Sequence, residues 1–233
     1  MTQTAHPFPG FPEDTLAFLA ELHRNNERSW FEANRARYES LVREPALDFI
    51  SAMAEPLAGF APRFRAVPKK AGGSLMRVHR DVRFSPDKRP YKTNIGIQFR
   101  HELGRDVHAP GYYVHVDPWS VFVGVGCWRP DPVALAAIRR GIVEHPAEWT
   151  SARNDAAFCA HFELSGDSLR RPPRGFDADH PLVEDLKRKD FIAVRHLDPA
   201  SIHGPGFLDE VTGAFSAAGP FMAFLCRAMG TPT

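Results

Sequence analysis

The sequence predicts an α+β protein: a mostly antiparallel sheet with helices over one face and a helical segment at the N-terminus. Three observations carry that prediction. Residues 12–59 place apolar side chains at helical spacing, residues 93–128 switch to alternation with period two, and the helical period returns from Asp131. Pro and Gly punctuate the chain without forming a linker, and no internal repeat appears, so one domain is expected over residues 11–230 after a short tail, 1–10.

The first helix begins at Pro12-Glu13-Asp14, sets Leu16, Leu19 and Leu22 on one side, and stops near Asn25-Asn26. The second starts near Ser29, a suitable cap, and runs through Phe31, Asn34, Tyr38 and Leu41. Pro45 marks the first turn of a third helix that ends near Gly59.

Three strands follow: Thr93–Phe99, Gly111–Asp117 and Ser120–Trp128, the last two joined by a turn at Pro118-Trp119. Pairing about that turn sets Val116 opposite Val121, Val114 opposite Val123 and Tyr112 opposite Val125, an apolar face that needs helical cover. The other face carries Gly96, Gln98, Tyr113, His115, Phe122, Gly124 and Gly126, where missing side chains admit a close approach.

Asp131-Pro132 starts a helix with a cap and a first-turn proline, and its buried stripe is Leu135, Ile138 and Ile142 with Arg139 at the edge. A further helix spans about Glu148–His161. Short strands are expected near 162–164, 168–171 and 191–195. The last helix runs from Phe207 to about Gly230, strained at Gly219-Pro220.

Composition narrows the function classes. A net charge of +1 argues against a nucleic-acid packaging protein, without excluding a local basic groove. Cys127, Cys159 and Cys226 show no Cys-x-x-Cys spacing, which fits a reducing compartment. The first residues lack a basic start followed by an apolar core, and no apolar run reaches the length of a membrane span. A cytoplasmic protein without signal peptide, membrane partner or cofactor is expected.

Against this neutral background, residues 77–94 stand out. Arg77, Arg80, Arg83, Lys88, Arg89 and Lys92 face only Asp81 and Asp87, a local excess of +4. Such an excess must be paired, solvated or spent on a ligand. Guanidinium forks match phosphate and carboxylate, so Arg77, Arg80, Arg83 and Lys88 are candidate anion ligands, with Tyr91 as a donor or stacking platform. His115 and Trp128 on the polar sheet face, and Arg171 in the rigid loop Arg170-Arg171-Pro172-Pro173-Arg174, extend the candidate site. Asp81, Asp87 and His115 are the candidate acids or bases. His79, His115 and Asp117 lack a second ligand pair at a recognised metal spacing, so no metal is expected. Cys127 shares parity with Val121, Val123 and Val125, which predicts a core thiol.

The pattern Arg77-x-x-Arg80-Asp81-x-Arg83-Phe84-x-x-Asp87-Lys88-x-x-Tyr91 resembles the hallmark of the bacterial family catalogued as domain of unknown function 2461. Asn25-Asn26, Trp30-Phe31, Asn34-Arg35, Gly111-Tyr112-Tyr113, Gly126-x-Trp128-x-Pro130 and Arg171-x-Pro173-x-Gly175 agree with it. The resemblance covers the chain from about Phe11 to the last helix. It implies no established activity, so it assigns no catalytic role. Three readings stay open: a binder of an anionic small molecule or a nucleic-acid backbone, an enzyme using the same pocket, and an interaction protein whose Arg–Asp network is purely structural.

Overall fold

The computed structural model describes residues 8–104 and 109–233. Three short helices open the chain: α1 (Thr15–Arg24), α2 (Arg28–Ala33) and α3 (Arg35–Tyr38). The second predicted helix is broken at Asn34, whose side-chain amide donates to the Trp30 carbonyl at 2.9 Å. After α3 the backbone continues through a π-helical turn, Glu39–Arg43, into α4 (Glu44–Phe60). Pro45 sits in the first turn of α4, where its missing N–H needs no partner.

The sheet has six strands in the order β1-β2-β3-β4-β6-β5. β1 (Phe64–Arg65) is a two-residue strand that periodicity could not show. β2 (Ile95–His101), β3 (Gly111–Val116) and β4 (Val121–Cys127) form a meander. Their register sets Val116 opposite Val121, Val114 opposite Val123, Tyr112 opposite Val125, and His115 opposite Phe122. This is the predicted pairing. Asp131 caps α5 (Pro132–Glu144), accepting from the Val133 and Ala134 N–H groups.

The predicted helix over 148–161 is two helices, α6 (Pro146–Arg153) and α7 (Ala156–His161), because the Asp155 side chain accepts the Phe158 N–H and starts a new one. β5 (Glu163–Ser165), α8 (Val183–Leu186) and β6 (Phe191–Leu197) follow. The strand expected at 168–171 reduces to a single bridge, Ser168 to Arg188. The final helix divides into α9 (Gly206–Ala217) and α10 (Gly219–Ala228), since Pro220 has no N–H to continue the ladder.

One sheet face is sealed. α4, α9 and α10 pack over it, and Ile95, Ile97, Phe99, Tyr112, Val114, Val116, Val123, Val125 and Cys127 are buried beneath them. Phe8 and Phe11, which precede α1, join Phe49 of α4 and Phe207 of α9 in edge-on and stacked contacts 5.2–6.2 Å between centroids. These four phenylalanines make an aromatic cluster within the core. The first seven residues of the expected tail lie outside the described residues.

Gly126 shows how tightly the meander is built. Its φ is 111°, and a Cβ there would run into the Phe191 carbonyl on β6. Gly126→Ala should cost more than about 2 kcal/mol, from strain and displaced pairing together. Chemical denaturation measures it, and a loss below about 0.5 kcal/mol would contradict this account.

Candidate functional site

The +4 segment is an arm on the sheet. Its entering limb continues the edge begun by β1: the Met76 N–H donates to the Gly96 carbonyl at 2.9 Å and the Gln98 N–H to the Ser74 carbonyl at 2.8 Å. The two limbs then meet. His79 bridges Tyr91, the Lys92 N–H donates to the Val78 carbonyl at 2.7 Å, and the Arg80 N–H to the Pro90 carbonyl at 2.8 Å. Residues 80–90 project beyond this foot, and Phe84 is 93% exposed.

The arm is held by the same device used twice. Asp81-Val82-Arg83 and Asp87-Lys88-Arg89 are each an aspartate with an arginine two residues on. Asp81 accepts the Arg83 N–H at 3.3 Å and one edge of its guanidinium, from Nε at 2.9 Å and Nη2 at 2.7 Å. Asp87 accepts the Arg89 N–H at 3.0 Å and its Nη2 at 2.8 Å, and takes Arg80 Nη1 at 2.7 Å as well. Each aspartate thus closes a local turn with its own backbone. The Arg83 bonds hold the Asp81 carboxyl down at about 2, and the Arg89 and Arg80 bonds hold Asp87 well below the usual carboxylate range. Both are ionised and engaged at neutral pH. Lys88 donates to the Val82 carbonyl at 3.0 Å.

Tyr91 is a core residue. It is buried, and its ring stacks on Phe31 at 4.1 Å with 18° between planes. Its backbone is clasped by Asn26, which donates from Nδ2 to the Tyr91 carbonyl and accepts the Tyr91 N–H, both at 3.0 Å. Asn26 belongs to the bend between α1 and α2, so the helical N-terminus holds the foot of the arm.

Two cations at that foot form no salt bridge to a carboxylate among the described residues, although the Arg77 charge adds a weak pull on Asp81. Arg77 is exposed. Lys92 is half-buried, and burial, then the nearby Arg77 charge, lower its pKa. Lys92 Nζ lies 4.0 Å from Met76 Sδ. Met76 Sδ and Tyr113 Oη both come within 3.0 Å of where a Cβ on Gly96 would stand. The foot of the arm therefore adjoins the polar sheet face at this glycine.

On that face Tyr113 Oη is 3.0 Å from His115 Nδ1, and His115 Nε2 is 2.9 Å from Asp117 Oδ2. Asn94 Nδ2 lies 3.4 Å from His115 Nδ1. The motif-based candidates omitted Lys92, Asn94, Tyr113 and Asp117. Strand alternation was the signal that could have found the last two, since Tyr-x-His-x-Asp shares one face.

The remaining candidates lie elsewhere. Trp128 is six residues beyond Phe122, the partner of His115, which is roughly 20 Å along an extended strand, and the Arg129 guanidinium covers its ring at 4.9 Å. Arg171 is exposed in a loop whose Leu169 N–H donates to the Lys187 carbonyl at 2.8 Å, near that same end of the sheet. Two surface cavities of about 350 and 430 Å³ adjoin α5, sharing Arg140 and Glu144. The first also holds an Arg227–Glu148 pair at 2.9 Å, so its charge is balanced. Among the described residues no three His, Cys, Asp or Glu side chains group as a metal site, and no helix is long and apolar enough to cross a membrane.

Fold and site together define an α+β protein in which a charged arm stands beside the polar face of an antiparallel sheet whose other face is covered by helices. The chain belongs to the family described as conserved hypothetical protein (DUF2461), whose model matches residues 14–224. No curated protein and no solved structure matches it.

Two measurements check this anatomy. Asn26→Ala leaves the Tyr91 N–H and carbonyl without partners in a buried position, an expected loss of about 2–4 kcal/mol by urea unfolding. Asn25→Ala, whose exposed amide only caps Glu21, should be nearly neutral. The Asp81–Arg83 pairing lowers the folded pKa, so its stabilisation is present above the ordinary carboxyl range and is lost as pH falls toward about 2. Carboxyl NMR should place the Asp81 midpoint there, and a midpoint near 4 would show the pair unformed.

Proposed function

We propose that the foot of the arm binds a small phosphate- or carboxylate-bearing anion between Arg77 and Lys92, with Asn94 and Tyr113 as further hydrogen-bonding groups. One observation carries this reading: Lys92 is half-buried beside Arg77, with no carboxylate partner among the described residues. Two like charges, one partly desolvated, disfavour each other, and an oxyanion placed between them reverses the sign of that interaction. Arg80, Arg83 and Arg89 are already satisfied within the arm. In this reading they shape the arm, and the ligand contacts fall to its foot.

A thermal-shift series with phosphate, sulfate, citrate and a short oligonucleotide tests the assignment. An anion at one hundred times its Kd should add about 2.7 kcal/mol to the wild type. Arg77→Ala and Lys92→Met should abolish the shift, and Arg83→Ala should keep it. A shift confined to the oligonucleotide, falling steeply with salt, would instead favour a nucleic-acid backbone. Equal shifts in Arg77→Ala, Lys92→Met and wild type, or none with any anion, would overturn the site.

A further inference from the structure

Tyr113, His115 and Asp117 occupy alternate positions, so all three stand on the polar face of the sheet. Their polar atoms form one chain: Asp117 Oδ2 to His115 Nε2 at 2.9 Å, then His115 Nδ1 to Tyr113 Oη at 3.0 Å. Each member is held in place. Asp117 Oδ1 accepts the Trp119 N–H at 2.7 Å and the Ser120 N–H at 2.8 Å. Phe122 stacks on the imidazole at 4.5 Å with 12° between planes. A network that only closed the Pro118-Trp119 turn would need Asp117 alone.

The chemistry of the chain has two states. Ionised Asp117 requires an N–H from Nε2, so a neutral His115 presents the Nδ1 lone pair to Tyr113. The Tyr113 hydroxyl hydrogen is then directed at His115, and only its oxygen lone pairs face the foot of the arm. A proton from solvent on Nδ1 reverses the bond. The imidazolium donates to the Tyr113 oxygen, and the hydroxyl hydrogen turns outward over Gly96. The Asn94 amide, within reach of both, moves its donor from Nδ1 to the phenol oxygen.

Charged and polar groups surround the chain from several elements. Asp117, from the turn, is hydrogen-bonded to His115. Arg77 and Lys92 stand at the foot of the arm, which adjoins Tyr113 at Gly96. Tyr113 adjoins His115 on β3, and His196 on β6 lies behind Phe122, 5.8 Å from that ring. Burial, with Asp117 nearby, pushes the Tyr113 phenol up to about 12, so it remains a donor throughout the neutral range. A dianion bound at the foot adds negative charge beside this chain, which favours its protonated state.

We infer that docking of a fully ionised oxyanion at the foot of the arm is coupled to uptake of one proton by His115, with Tyr113 supplying the resulting hydrogen bond to the ligand. The inference rests on the anion site proposed above.

Calorimetric titration with sulfate, which has no titratable proton near neutrality, tests it in buffers of different ionisation enthalpy. The wild type should take up a proton on binding sulfate, and affinity should fall as pH rises above neutrality, by at most about tenfold per pH unit. His115→Gln should bind with no uptake, and Tyr113→Phe should bind about tenfold more weakly. Nitrogen NMR of the wild type, which involves no variant, should show Nδ1 gaining a proton when sulfate is added. Sulfate binding without proton uptake, or uptake unchanged in both variants, would overturn the coupling and leave the anion site standing. Absence of binding by sulfate, phosphate and citrate alike in the wild type would overturn both.

Discussion

The arrangement of this protein depends on the clasp between Asn26 and Tyr91. A buried amide side chain satisfies both backbone groups of a residue 65 positions away. Leaving those groups unpaired would cost more than most single contacts can return. The clasp fixes the bend after α1, and the Tyr91–Phe31 stack fills the space beside it. Because Tyr91 is fixed, Lys92, Asn94 and the start of β2 are fixed too. A slip of one residue there would exchange the two faces of the strand and turn Gly96 and Gln98 into the core.

With the foot held, the arm needs little from the rest of the protein. Two aspartates, each gripping the N–H and guanidinium two residues ahead, account for three of its arginines. These pairs are largely exposed, so they act more as local geometry than as stability. Their effect is to separate two kinds of cation. Arg80, Arg83 and Arg89 are consumed in building the arm, and Arg77 and Lys92 lie at its foot against the sheet. Of the +4 excess, half therefore stands where the arm meets the Tyr113–His115–Asp117 chain, and the other half, Lys88 included, lies within the arm.

The sheet supplies the other half of the arrangement. α4, α9 and α10 cover one face and supply the core, so the opposite face is not needed for burial. That face is free to carry an ordered polar chain between Gly96 and Phe122. The glycine matters because Met76 and Tyr113 converge over it, bringing the arm and the polar face into contact.

Much of this was legible in the residues themselves. Alternation with period two determined the β3–β4 register and assigned Tyr113, His115 and Phe122 to one face, since the pleat permits no other choice. Asp131-Pro132 marked the start of α5, because cap and proline act locally. Charge counting located the arm. Tertiary structure alone decided which charges were already paired, because Asp81 and Asp87 could reach several arginines and only the fold selects among them. It also decided that Tyr91 is a core ring, through Phe31 and Asn26, residues distant in sequence. The same long-range contacts placed Lys92 at the edge of the polar face, while Trp128 and Arg171, which sequence reasoning had grouped with the arm, lie toward the other end of the sheet. Local patterns report periodicity and caps, and the partner of a charged group depends on chain segments that only folding brings together.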